Sequence, residues 1–119
     1  MTSNQPRLSR LISAWTASEI RQLFKQSQLI YRSPGLDIRI SVAKADVGKI
    51  LVVTPKKMGS APSRNLIRRR LKSIFYQDKL YAYKCNVAII CKKESDFLTF
   101  DQLREILSDT IKSYCAKTK

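Results

Sequence analysis

The 119-residue chain contains no histidine. A Ser-His-Asp triad, a histidine general base and histidine-ligated zinc are therefore excluded. Acids are scarce: nine Asp plus Glu stand against 23 Lys plus Arg. They are scattered, and no two are placed to share one metal or one substrate. The three cysteines, Cys85, Cys91 and Cys115, are odd in number and show no CxxC spacing. They read as reduced intracellular thiols, with Cys91 a core residue in an apolar run. No apolar run approaches the roughly 18 residues that cross a bilayer, and the N-terminus has no apolar signal core. The expectation is a soluble, cytoplasmic chain with no active site of its own. Any chemistry it joins resides in another molecule.

What is present is positive charge. The formal net charge is +14 and the pI is near 10.1. Such an imbalance opposes folding by self-repulsion unless something anionic relieves it. Nucleic acid is the first candidate partner and an anionic membrane surface the second. Hydrophobic content of 44% and this length suit one domain with a real core, needing no metal or disulfide staple.

Periodicity predicts the elements. Residues 1–13 read as a basic, flexible arm, extended or frayed, with Arg7 and Arg10. Thr16 to Glu19, "TASE", is a capping box that opens a helix ending near Ser27. "QLIYR" (Gln28 to Arg32) is a weak strand candidate, and Ser33 to Gly35 a turn. "DIRISVA" (Asp37 to Ala43) alternates, placing Ile38, Ile40 and Val42 on one face and Arg39 and Ser41 on the other. "KILVVT" (Lys49 to Thr54) is a continuous β-branched run, expected to be a central strand, buried on both faces and paired with its predecessor as a hairpin. A helix is expected over Ser63 to Tyr76. A strand over Asn86 to Lys92 is expected to run parallel to an earlier one. A second capping box at Thr99 to Gln102 opens a helix whose buried face is Phe100, Leu103, Ile106, Leu107, Ile111 and Tyr114. The tail from 116 to 119 should fray. The pattern is α-β-β-β-α-β-α: one α+β domain over residues 14–115, a sandwich of helices on a small sheet.

The most informative stretch is "PKKMGSAPSRNLIRRRLK", Pro55 to Lys72. It holds seven basic side chains, and no acid occurs between Val47 and Gln77. At 100° per residue, with Arg64 at zero, Arg68 falls at about 40°, Lys72 at about 80°, Asn65 at about 100° and Arg69 at about 140°. Ile67, Leu71 and Ile74 cluster between about 280° and 340°, and Phe75 lies near 20°. One side is therefore core and the adjoining arc is basic, while Arg70, at about 240°, stands apart. A solvated helix face is the plain alternative. Solvated faces mix signs, however, whereas Arg64–Arg68 and Arg68–Lys72 are like-charge i,i+4 pairs. They also crowd the positive end of the helix dipole. Phosphate would relieve both costs. Asn65 can donate and accept beside a sugar or base. Lys56 and Lys57 stand at the strand exit beside the helix start, and Gly59 permits a close backbone approach. Phe24 is the aromatic candidate for stacking a single-stranded base, or else a simple core residue. Arg39 and Ser41 either line the same groove or meet water.

"KKMGSAPSRNLIRRRLK" resembles the signature of the protein subunit of bacterial ribonuclease P, roughly KK-x-G-x-A-x-x-RN-x-x-[KR]-R. The order of elements extends the likeness over most of the chain. The resemblance implies that α-β-β-β-α-β-α sandwich with a left-handed crossover around the basic helix, against the general rule for such units. It implies a catalytic RNA subunit that uses Mg2+ to cleave the 5′ leader from precursor tRNA. The protein would grip that RNA through Lys56, Lys57, Arg64, Asn65, Arg68, Arg69 and Lys72. A cleft with Phe24, Arg39 and Ser41 would take the leader. No catalytic residue, protein-borne metal site, membrane or obligate protein partner is implied. Ile20 stands where the family usually has an aromatic, Pro55 where a small residue is common, and Pro62 where a β-branched one is typical.

Two other readings compete. A ribosomal or other structural RNA-binding protein without enzyme role would use the same basic groove. A membrane-surface binder needs an exposed apolar face opposite the basic arc, and here that face reads as core.

Overall fold

A computed structural model describes residues 11–117. Helix α1 (Ala17–Gln26) opens on the expected capping box: Glu19 N donates to Thr16 Oγ1, and Thr16 N donates to Glu19 Oε1. Ser27 caps its end. Strands β1 (Gln28–Arg32) and β2 (Leu36–Val42) form an antiparallel pair around the Ser33 turn. Strand β3 (Ile50–Val53) leads through a 3-10 turn at Lys56–Met58 into helix α2 (Ala61–Gln77). Strand β4 (Cys85–Cys91) follows, and helix α3 (Phe100–Lys117) closes the described chain. The second capping box is also present, Gln102 N donating to Thr99 Oγ1 and Thr99 N to Gln102 Oε1.

The sheet order is β1-β2-β4-β3. This corrects two expectations. β2 and β3 do not form a hairpin, because β4 lies between them, antiparallel to β2 and parallel to β3. β3 is accordingly an edge strand, and β4 is the central one, with Val87, Ala88 and Ile89 fully buried. The physical reason lies in the two faces of β3. Ile50 and Val52 feed the main core, whereas Leu51 and Val53 share the opposite face with Ala88 and Ile90. A run that is apolar on both faces looks central in sequence even at an edge. Val42 also departs from expectation: at the end of β2 it is 60% exposed rather than packed with Ile38 and Ile40.

The main core lies between one sheet face and helices α2 and α3. Leu36, Ile38, Ile40, Ile50, Val87, Ile89 and Cys91 meet Ile67, Leu71, Ile74 and Phe75 from α2 and Leu103, Leu107 and Ile111 from α3. Each such large side chain contributes roughly 1.5–3 kcal/mol on burial. α1 leans on the other face through Leu23, and Arg39 on that face reaches its C-terminal cap. The arm expected over 1–13 lies largely outside the described residues. Its end is anchored, not extended: Ile12 is 2% exposed in the core, and its carbonyl accepts from Ile50 N at 2.7 Å. α3 stays helical through Ala116 and Lys117, where fraying was expected.

Candidate nucleic-acid interface

α2 starts two residues earlier than its periodicity suggests. Ser60 caps it, with its hydroxyl accepting from Ser63 N at 3.3 Å, and Pro62 sits in the first turn. Proline is tolerated there because the first-turn N–H groups have no helical partner. The helix buries Ile67, Leu71, Ile74 and Phe75, as the phasing requires. The basic arc therefore lies beside the core stripe.

Within the arc, Arg64, Arg68 and Lys72 are half-buried along one flank, whereas Asn65 and Arg69 are exposed. Asn65 and Arg69 share a shallow recess with Ala61 and Pro62. Arg64 Nε donates to Gly59 O at 3.3 Å. Arg68 divides its fork: Nη1 donates to Asn65 Oδ1 at 2.9 Å, and Nη2 to Thr54 Oγ1 just past the end of β3. Thr54 was not singled out in the sequence. A hydroxyl at a strand exit that faces an Arg-rich helix is the signal that would have found it. Met58 is buried in the core and pins the short turn before α2, leaving Lys56 and Lys57 exposed. The structure thus brings together the strand exit, the turn and the start of α2. Arg70 lies on the other flank, beside Ser63, Leu66, Ile67 and Ser95.

The charges here are unbalanced. Ion pairs among the described residues are Lys49–Glu19, Lys92–Asp37 and Arg104–Asp78, so none of the seven interface residues is neutralised by an acid. Lys72 carries a charge that its surroundings disfavour. Burial, and then the neighbouring Arg68 charge, lower its pKa below the ordinary lysine value.

The three cleft candidates are placed differently. Arg39 Nε donates to Ser27 Oγ at 3.0 Å and Nη2 to Ser27 O at 2.9 Å, so this guanidinium ties β2 to the cap of α1. Ser41 is 6% exposed and lines a recess on one flank of α1 with Gln22, Gln26, Val42 and Asn86. Phe24, 37% exposed, is not part of that recess. It projects about 100° round the helix from Leu23, on the side away from Gln22. Among the described residues no three His, Cys, Asp or Glu side chains gather to hold a metal ion. No helix there is long and apolar enough to cross a membrane.

The family model for Ribonuclease P matches residues 6–115. The ribonuclease P protein components of Citrifermentans bemidjiense and of Geobacter sp. (strain M21) are each 40% identical over 48 residues. That stretch is 40% of this chain and only 41% of each relative. The Staphylococcus aureus RNase P protein superposes with TM-score 0.72 at 17% identity, covering 87% of this chain and 94% of that one. The Thermotoga maritima RNase P protein gives TM-score 0.68 at 19% identity, covering 93% and 97%. These two likenesses concern the fold, a four-stranded sheet with three helices. A family match over nearly the whole chain, on a fold shared with those proteins, places the chain in the ribonuclease P protein component family.

Proposed function

We propose that the chain is the RNA-binding protein subunit of a ribonucleoprotein endonuclease that removes the 5′ leader from precursor tRNA, with catalysis lodged in an RNA subunit. One observation carries this reading. Seven residues, Lys56, Lys57, Arg64, Asn65, Arg68, Arg69 and Lys72, gather around the β3 exit and the start of α2, and no acid among the described residues is paired to any of them. A folded protein tolerates such a cluster when phosphate supplies the missing charge. The Arg64 and Arg68 guanidinium groups, held by Gly59 and Thr54, present donors in fixed directions, which suits backbone oxygens.

The exposed ring of Phe24 offers a stacking surface for an unpaired base of the leader. Leu51, Val53 and Ile90, half-buried on the same side of the sheet as α1, supply an apolar floor. Arg39 holds α1 in position, and Ser41 belongs to the recess on the helix's other flank. In this reading Mg2+ belongs to the RNA. The protein contributes cations that lower the divalent concentration the RNA needs.

The RNA that co-purifies with the chain tests the assignment. One small structured RNA, depleted by the Arg64→Ala/Arg69→Ala double variant, is expected. Ribosomal RNA in its place would favour a structural RNA-binding role and overturn the proposal.

A further inference from the structure

Two thiols lie apart from the interface and take no part in it. Cys85 opens β4 and is 3% exposed, and Cys115 lies near the end of α3, half-buried. Thirty positions apart in sequence, their sulfurs stand 3.2 Å from each other. Both reach the carbonyl of Tyr83, at 3.5 and 3.7 Å. We propose that Cys85 and Cys115 form an oxidation site at which a peroxide-class oxidant joins them in a reversible intrachain disulfide. The bond clamps the end of α3 to the start of the central strand. The inference does not depend on the RNA-binding reading.

A disulfide holds its sulfurs about 2.05 Å apart, so closure needs an approach of roughly 1 Å. The last turn of a helix gives that readily. Cys91 cannot compete for Cys85. The two lie on the same face of β4, six residues apart, or about 20 Å along the strand.

Exposure sets the order of steps. The Cys115 thiolate attacks one peroxide oxygen and the O–O bond breaks. That oxygen stays on sulfur as a sulfenic acid, and the other leaves, protonated, as water. The Cys85 sulfur then attacks the Cys115 sulfur. The S–O bond breaks, and the departing hydroxide takes the Cys85 proton to become a second water. Two thiols are oxidised by two electrons in all, and one hydrogen peroxide is reduced to two waters. Burial, and then the Cys115 partner, push the Cys85 thiol up to about 12, consistent with its acting second. The pair sits at the end of the sheet opposite the β3 exit where Thr54 holds Arg68. Oxidation should therefore leave RNA affinity unchanged.

The test treats the full chain with hydrogen peroxide, blocks free thiols after unfolding, and maps the peptides. The expected product links Cys85 to Cys115, leaves Cys91 alkylated, reverts with dithiothreitol, raises the thermal midpoint and changes RNA affinity less than twofold. Cys91→Ser should still form the link, and Cys115→Ser should leave Cys85 alkylated. The proposal is overturned if Cys85 stays alkylated in the oxidised wild-type chain, if Cys115 reaches sulfinic acid alone, or if the bond forms between chains.

Discussion

The Arg68 guanidinium donates to Asn65 Oδ1 at 2.9 Å and to Thr54 Oγ1, while Arg69, the next residue, is exposed with no side-chain bond among the described residues. The two arginines should therefore separate in a binding experiment. Arg69→Ala is expected to reduce the log–log salt slope of RNA binding by about 0.7–0.9, the value of one phosphate contact, without moving the thermal midpoint. Arg68→Ala should reduce the slope similarly and also lower the midpoint, because its tie to β3 is lost. Arg70→Ala should change the slope less than either. Equal slopes for Arg69→Ala and Arg70→Ala would contradict the helical phasing. Lys72 gives a pH signature. Its folded pKa is depressed, by burial first and by Arg68 second. The unfolded chain then holds that proton more tightly, so this group's contribution to stability rises as pH climbs through the lowered pKa toward the ordinary 10.5. At neutral pH the charged Lys72 is a cost to the RNA-free protein. Lys72→Met, which keeps the stem packed, should raise the thermal midpoint at pH 7, lose that advantage above the ordinary lysine pKa, and weaken RNA binding. Thermal scans across pH 7 to 11 would show it.

Among the elements, β3 depends on one glycine. A Cβ added at Gly48 would lie 2.0 Å from Cys85 O, and Gly48 N donates to Tyr81 O at 2.9 Å. Backbone stands in the way, so relief requires β3 and β4 to separate where their parallel pairing begins. Gly48→Ala should cost about 3 kcal/mol, the upper end of ordinary substitutions, measured by urea denaturation. A cost below roughly 0.5 kcal/mol, the scale of a neutral surface change, would contradict this packing. Element types were legible because each carried a local signal: two capping boxes, the alternation of Ile38 and Ile40, and the 3.6-residue stripe of α2. Sheet order was not. Whether Ile50–Val53 is central or edge depends on which strand slides between β2 and β3, and that is settled by α2 returning the chain to β4. The same limit hid the anchoring of Ile12, whose partner Ile50 lies far along the chain.

Over the whole molecule, charge and topology point the same way. The acid-free stretch from Val47 to Gln77 contains β3, the turn and all of α2, so the fold presents a basic cluster beside one strand exit. That concentration was legible from helical phasing alone. The roles of Arg39 and Ser41 were not, because a period of two identifies a face but not what covers it. Arg39 proves to brace α1, and Ser41 lies on the flank away from Phe24. The central claim is that this basic face serves a catalyst made of RNA. Its most direct test is the magnesium dependence of precursor-tRNA cleavage by the matching RNA subunit, with and without the chain. The account predicts that the chain shifts the magnesium midpoint to lower concentration, and that Arg64→Ala/Arg69→Ala abolishes the shift while the RNA alone still cleaves at high magnesium. An unchanged magnesium midpoint with the wild-type chain bound would contradict it.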